Sequence, residues 1–194
     1  MQLSAITCAS FVILAFVAAG FVQTFWLRSE LSKRFSAPID GGRVFRKRRI
    51  FGDNKTWRGF IAIVPAVALA FVAFRVLFAI LPGNLLDGLW PLSILQYAAL
   101  GCLVGMGFML GELPNSFIKR QFDIPPGGQP MQPVSRRLGF LVDRFDSIIG
   151  GMLCLVCAVP VPIATYFYIL LLGPVIHLAF NVLLYRLGVK SRLG

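Results

Sequence analysis

Acidic residues are scarce in this 194-residue chain: eight Asp and Glu stand against nineteen Lys and Arg, for a net charge of +11. An acid placed near lipid in such a chain is not there for solubility. Histidine occurs once, as His177 in an apolar stretch, and is expected as a hydrogen-bonded interior residue rather than a catalytic base. Of the four cysteines, Cys154 and Cys157 form a CxxC. They lie in an apolar run without further Cys or His ligands nearby, which reads as packing rather than a metal or redox site. No repeat of 20 to 50 residues is visible, which excludes a solenoid and a duplicated transporter. No basic residue precedes the first apolar run, and Arg28, Lys33 and Arg34 follow it. That polarity argues against a signal peptide and for a retained helix with its amino end outside.

What is abundant is apolar sequence: 57% of residues are hydrophobic and the mean hydropathy is +0.78. Windows of spanning length recur at roughly 3–27, 59–81, 92–117, 141–159 and 163–185. The expected fold is therefore an all-α integral membrane protein with about five transmembrane helices and two long cytoplasmic loops, with no room for a second domain. The basic residues sort by side. Arg28 through Arg58, Lys119 through Arg144, and Arg186, Lys190 and Arg192 all fall on one face. Arg75 is the exception and can snorkel outward. Pro82 to Pro91 and Val159 to Pro162 carry no Lys or Arg, so they are expected outside. The expected location is a multi-pass cell membrane protein with its site facing the cytoplasm. No nucleic-acid reading module accompanies the positive charge, so anionic lipid and polyphosphate are the expected partners and nucleic acid is not. Oligomeric state has no signature here.

Chemistry-bearing residues gather in the two basic-side loops. The first holds Asp40-Gly41-Gly42-Arg43, Arg46-Lys47-Arg48-Arg49 and Gly52-Asp53-Asn54-Lys55-Thr56-Trp57-Arg58. Asn54, Lys55, Thr56 and Arg58 sit at the amino end of a helix, where free N–H groups and the dipole favour an anion. The second opens with Gly111-Glu112 and Ser116-Phe117-Ile118-Lys119-Arg120, passes the turn-rich Pro125 to Pro130, and closes on Asp143-Arg144-Phe145-Asp146. An ionised Asp inside hydrocarbon costs about 2.5 to 3.5 kcal/mol on insertion scales. Asp143 and Asp146 are one helical turn apart on one face, and with Glu112 they offer oxygen donors that suit Mg²⁺. A local ion pair with the basic loops is the competing account of these acids. Gly101, Gly105, Gly107 and Gly111 follow no strand, so they read as close helix packing rather than a dinucleotide loop. A cation clamp beside carboxylates is the equipment of phosphoryl or nucleotidyl transfer.

These motifs, in order, resemble the CDP-archaeol synthase family and, more distantly, CDP-diacylglycerol synthase. The resemblance runs from about Pro38 to Gly151. It implies a single membrane-embedded cytidylyltransferase domain over 1–194 that transfers CMP from CTP to a lipid phosphate, with a divalent metal, Mg²⁺. It carries the family's Gly-Asp acid onto Glu112, its Ser-x-x-Lys-Arg onto Ser116, Lys119 and Arg120, and its paired aspartates onto Asp143 and Asp146. Lys119, Arg120 and Arg144 are the implied catalytic cations, and Asn54, Lys55, Thr56, Arg58, Ser116, Gly127 and Gly128 the implied nucleotide-binding positions. Glu112 departs from the expected Asp. The diacylglycerol branch resembles a Pro-Gly-His-Gly-Gly signature where this chain has Pro126-Gly127-Gly128-Gln129-Pro130, which favours an archaeol-type lipid over phosphatidate. Asp40-Gly41-Gly42-Arg43 matches only the first two residues of the CDP-alcohol phosphatidyltransferase signature. The rival reading from another class is a non-enzymatic scaffold that binds anionic lipid through its basic loops.

Overall fold

The structure, a computed structural model, describes residues 2–81, 85–128 and 132–189. Pro82, Gln129, Pro130, Lys190 and Arg192 lie outside the described residues. Helix α1 (Ala5–Arg28) starts where the Ser4 hydroxyl accepts from the Thr7 N–H, and a short α2 (Glu30–Lys33) starts the same way on Ser29. A hairpin of β1 (Val44–Phe45) and β2 (Arg48–Arg49) follows, then α3 (Trp57–Ile80) and a 3₁₀ turn at Leu85–Gly88. Helix α4 (Ile94–Gln121) opens on a capping box in which Ser93 and Gln96 satisfy each other's backbone N–H. Helices α5 (Pro133–Ala158) and α6 (Ile163–Arg186) complete the chain.

Five long helices stand where five apolar windows were expected. Four of them, α1, α3, α4 and α6, are long and apolar enough to cross a membrane. Helix α5 differs because Arg136, Arg137, Asp143, Arg144 and Asp146 fill its first half. It begins at Pro133 rather than at 141: proline suits the first helical turn, and the charges that lower hydropathy do not break a helix.

The long helices pack in the order α1, α3, α4, α5, α6 and back to α1, so the bundle closes around an interior. The end where α1 begins is plugged by aromatics. Phe11 meets Phe71 edge-on at 5.0 Å between centroids and Tyr97 at 5.4 Å, and Trp90 donates its indole N–H to the Pro160 carbonyl. The basic loops lie at the other end.

Glycine sets the spacing of α4. A Cβ on Gly101 would stand 2.7 Å from the Ala68 Cα, and one on Gly105 3.2 Å from the Val64 Cα, so these two seat α4 on α3. Gly107 and Gly111 face the other neighbour: a Cβ on Gly111 would stand 2.4 Å from the Asp146 carbonyl oxygen. From the α5 side, a Cβ on Gly150 would stand 2.2 Å from the Gly107 carbonyl oxygen. The glycine stripe is thus two small-residue seams, which is the helix-packing reading.

Gly150→Ala should force α4 and α5 apart at an overpacking cost of about 1 to 3 kcal/mol or more. Gly151→Ala should be tolerated, because its Cβ would meet nothing nearer than 3.5 Å. Thermal unfolding of the two variants in one detergent measures the contrast, and equal midpoints would contradict the seam.

Candidate active site

A cavity of about 690 Å³ runs from the basic loops into the bundle. Asn54, Lys55, Thr56 and Arg58 line it from the start of α3, and Glu112, Ser116, Lys119 and Arg120 from the last turns of α4. Gly127 and Gly128 border it from the loop, and Asp143, Arg144 and Asp146 from α5. Every site residue expected from sequence therefore faces one space. Beyond them the walls become apolar, with Ile13 and Phe16 of α1, Phe108 of α4, and Ile169, Ile176 and Phe180 of α6.

The acids are brought together by the Gly111–Gly150 seam. Lys55 donates to Glu112 Oε2, and the Ser147 hydroxyl donates to Glu112 Oε1 at 2.8 Å. Lys119 reaches both oxygens of Asp143, with Oδ2 at 2.6 Å. The Asn115 amide donates to Asp143 Oδ1 at 2.6 Å and to Asp146 Oδ2 at 2.8 Å. Each amino group takes a position on the acids that a bound cation could take. Burial disfavours the charged form of Lys55, and the Glu112 carboxylate more than offsets this, so its pKa lies above the usual lysine value.

Three expected cations do different things. Arg58 turns Nη2 to the Leu27 carbonyl and the Ser32 hydroxyl, each at 2.7 Å, and so fastens the start of α3 to the end of α1. Arg144 is buried with its guanidinium 4.1 Å from the Phe140 ring centroid. Arg120 is 9% exposed, and among the described residues its Nε and Nη1 are buried without a hydrogen-bond partner. Thr56 is the N-cap of α3, yet its hydroxyl makes no capping bond. Ser116 donates to the Glu112 carbonyl at 2.9 Å.

Asn115 and Ser147 are site residues that the sequence reading did not single out, and Asp40, weighed there only within a partial phosphatidyltransferase signature, is a supporting one. Asn115 had a signal: it lies one turn after Glu112 and one before Lys119 on the same helical face. His177 lines the same cavity, with its Nδ1 3.3 Å from the Asn181 amide nitrogen, as an interior histidine should.

Asp40 organises the first loop. Its side chain is fully buried; Oδ1 accepts from Gly42 N–H and Arg49 Nη2, and Oδ2 from Phe51 and Gly52 N–H at 2.9 and 3.0 Å. Arg49 also reaches Asp53 at 2.7 Å. The turn of the hairpin places Arg46 and Lys47 in the left-handed region, and Arg48 ties the hairpin to Asp123 beyond α4. Pro38 pairs with Thr56, and Ile39 N–H donates to the Lys55 carbonyl at 2.9 Å. The loop is thus folded back onto the residues that open α3.

Among the described residues, no group of three or more His, Cys, Asp and Glu side chains converges closely enough to hold a metal ion. Donors from Lys55, Lys119, Asn115 and Ser147 stand among the carboxylates. The donor set itself, all carboxylate oxygen, is of the kind Mg²⁺ takes.

Residues 33–193 match the CarS-like family, described as CDP-archaeol synthase. The chain belongs to this family. Relatives named CDP-archaeol synthase include that of Pyrococcus furiosus, 33% identical over 155 residues, covering 79% of this chain and 81% of the relative. That of Methanosphaerula palustris is 33% identical over 166 residues, covering 79% and 87%. That of Thermococcus kodakarensis is 35% identical over 158 residues, covering 79% and 80%. A solved structure described as an intramembrane enzyme for archaeal membrane lipids biosynthesis shares the fold. Its TM-score is 0.59 at 19% identity, over 88% of this chain and 94% of that one. This member of the CDP-archaeol synthase family is a multi-pass membrane protein.

Burial alone would raise the Asp40 pKa, but the Arg49 guanidinium and three backbone N–H groups hold its carboxyl well below the usual range. The stability it contributes is therefore fully present above the unfolded value of about 3.9 and lost as pH falls through the lower folded value. Asp40→Asn should cost about 2 kcal/mol at neutral pH, since bonds to charged groups are worth about 1.5 to 3 kcal/mol. Thermal midpoints of wild type and variant should stay separated above pH 5 and converge at the acid end. A constant separation down to the lowest tolerated pH would contradict the assignment.

Proposed function

We propose that this CDP-archaeol synthase family member transfers CMP from CTP to the phosphate of a membrane lipid, yielding a CDP-lipid and diphosphate. The preferred lipid is an archaeol-type diether glycerol phosphate. The observation that carries the reading is the cavity itself, which joins a cluster of cations and acids to an apolar arm between α1, α4 and α6. A nucleotide triphosphate suits the first part and lipid chains the second. An anionic-lipid scaffold has no use for half-buried carboxylates at membrane level.

In the proposed reaction a lipid phosphate oxygen attacks the α-phosphorus in line, the bond to the bridging β-oxygen breaks, and diphosphate leaves. Arg120 offers two buried N–H groups that have no partner among the described residues, and in the proposed reaction phosphate oxygens complete its hydrogen bonding. Lys55 and Lys119, now on the acids, bring ammonium groups to the same space, and Arg144 adds charge from α5. These positions let the chain stabilise the growing charge without reorganising solvent. Asn54, Thr56, Ser116, Gly127 and Gly128 border the mouth and would orient the nucleotide. Asn115 and Ser147 hold the carboxylates in place. Glu112, Asp143 and Asp146 are the carboxylates that would take Mg²⁺ in place of the lysine and amide donors now on them, and its charge when bound would neutralise the triphosphate.

Purified protein, CTP, Mg²⁺ and an equal mixture of diether glycerol phosphate and phosphatidate test the activity and the lipid together. The diether product should dominate, within the roughly 10- to 200-fold that packing of hydrocarbon can discriminate. A clear preference for phosphatidate would move the substrate to diacyl lipids. Asp143→Asn and Asp146→Asn should each lower turnover by at least about a hundredfold while the protein inserts normally. Near-normal turnover in both would remove the acids from the mechanism.

The proposed orientation puts the amino end outside and the site at the cytoplasmic face, from the side on which Lys and Arg collect. Asp87→Cys should react with an impermeant maleimide in intact cells, and Gly128→Cys should react only after lysis. The reverse pattern would put the cavity mouth on the wrong side for cytosolic CTP.

A further inference from the structure

Asp40-Gly41-Gly42 lies outside the cavity lining, and the proposed chemistry leaves this buried acid without a role. Its contacts lead to one place. Oδ2 binds the N–H groups of Phe51 and Gly52, which fixes a turn in which Gly52 has φ +87°. That turn lies against Arg120: a Cβ on Gly52 would stand 3.3 Å from Arg120 Cδ, 3.5 Å from its Nη1 and 3.2 Å from Pro126 Cγ. Only glycine supplies both the left-handed backbone and this close approach. Arg120 also lines the cavity, and its Nε and Nη1 are buried without a hydrogen-bond partner among the described residues.

A buried guanidinium with unsatisfied donors is costly unless a ligand satisfies it, and its value depends on its being held in place beforehand. We infer that Asp40 is a positioning residue for nucleotide binding: it sets the Phe51–Gly52 turn, the turn backs Arg120, and Arg120 meets a phosphate of CTP. The inference rests on the proposed role of Arg120. The aspartate acts through another residue and touches no substrate. The turn therefore needs a paired acid, and the Arg49 guanidinium on Oδ1 provides the pairing without reaching the cavity lining.

A double-mutant cycle on CTP affinity, measured by equilibrium binding to purified protein in detergent, separates positioning from general support. Arg120→Met should weaken CTP binding about tenfold or more, as expected for a lost charged hydrogen bond. Asp40→Asn should weaken it comparably, and in the Arg120→Met background should add less than about twofold. KM for the lipid should stay within about twofold throughout, because the turn does not reach the apolar arm. Gly52→Ala presses on Arg120 directly, leaves the Asp40 carboxylate in place, and should behave as Asp40→Asn does in the same cycle. It carries the test if Asp40→Asn does not fold. Multiplying losses from Asp40 or Gly52 and Arg120, or a matching rise in lipid KM, would overturn the positioning role while leaving Arg120 at the phosphate. Unchanged CTP affinity in Arg120→Met would overturn the reading of the site, and the positioning role with it.

Discussion

A side chain on Gly150 would collide with the backbone of α4, and one on Gly111 would collide with the backbone of α5. Helices that meet this closely have little freedom to slide or rotate, since small steps would bring larger neighbours into the seam. Glu112 comes immediately after Gly111, and Asp146 and Ser147 precede Gly150 by about one turn. The contact therefore decides that carboxylates from two helices share one space. Four polar groups of the site are built around that shared negative charge: the Lys55 and Lys119 ammonium groups, the Asn115 amide and the Ser147 hydroxyl.

Pairing offsets the cost of holding half-buried carboxylates near apolar walls: Glu112 and Asp143 each meet an ammonium and a neutral donor, and Asp146 meets the Asn115 amide and the Ser147 backbone N–H. The same pairing stores cations beside the place a polyphosphate would enter. The bundle supplies the opposite environment a few turns deeper, where Phe16, Phe108 and Phe180 line the cavity. A closed ring of five helices, plugged by aromatics at one end and capped by folded loops at the other, is a direct way to hold both environments in one chamber.

The helices were legible because each carries its own long apolar window, and hydropathy is a local property. Helix α5 was legible only in its second half, since charge masks a helix from a hydropathy reading without unmaking it. The residues expected to meet nucleotide, phosphate or metal were legible as motifs, and all of them line the cavity. Their pairings were not: Lys55 and Glu112 are far apart in sequence, and which lysine meets which acid depends on how α3 and α5 are both seated on α4. Arg58 shows the same limit, because its place beside Lys55 suggested a phosphate ligand while its Nη2 holds the end of α1. Asn115 could have been found from helical spacing alone. Asp40 could not, because an Asp-Gly-Gly turn reads as a loop until its backbone partners at Phe51 and Gly52 are placed.

In the proposed reaction the nucleotide gives up its α-phosphoryl group with the nucleoside attached. CTP labelled separately at the α- and γ-phosphorus, incubated with purified protein and a diether glycerol phosphate, tests it directly. The α-label should appear in the lipid extract and the γ-label in released diphosphate, in equal amounts. Transfer of γ-label to lipid, or consumption of CTP without any label in lipid, would contradict it.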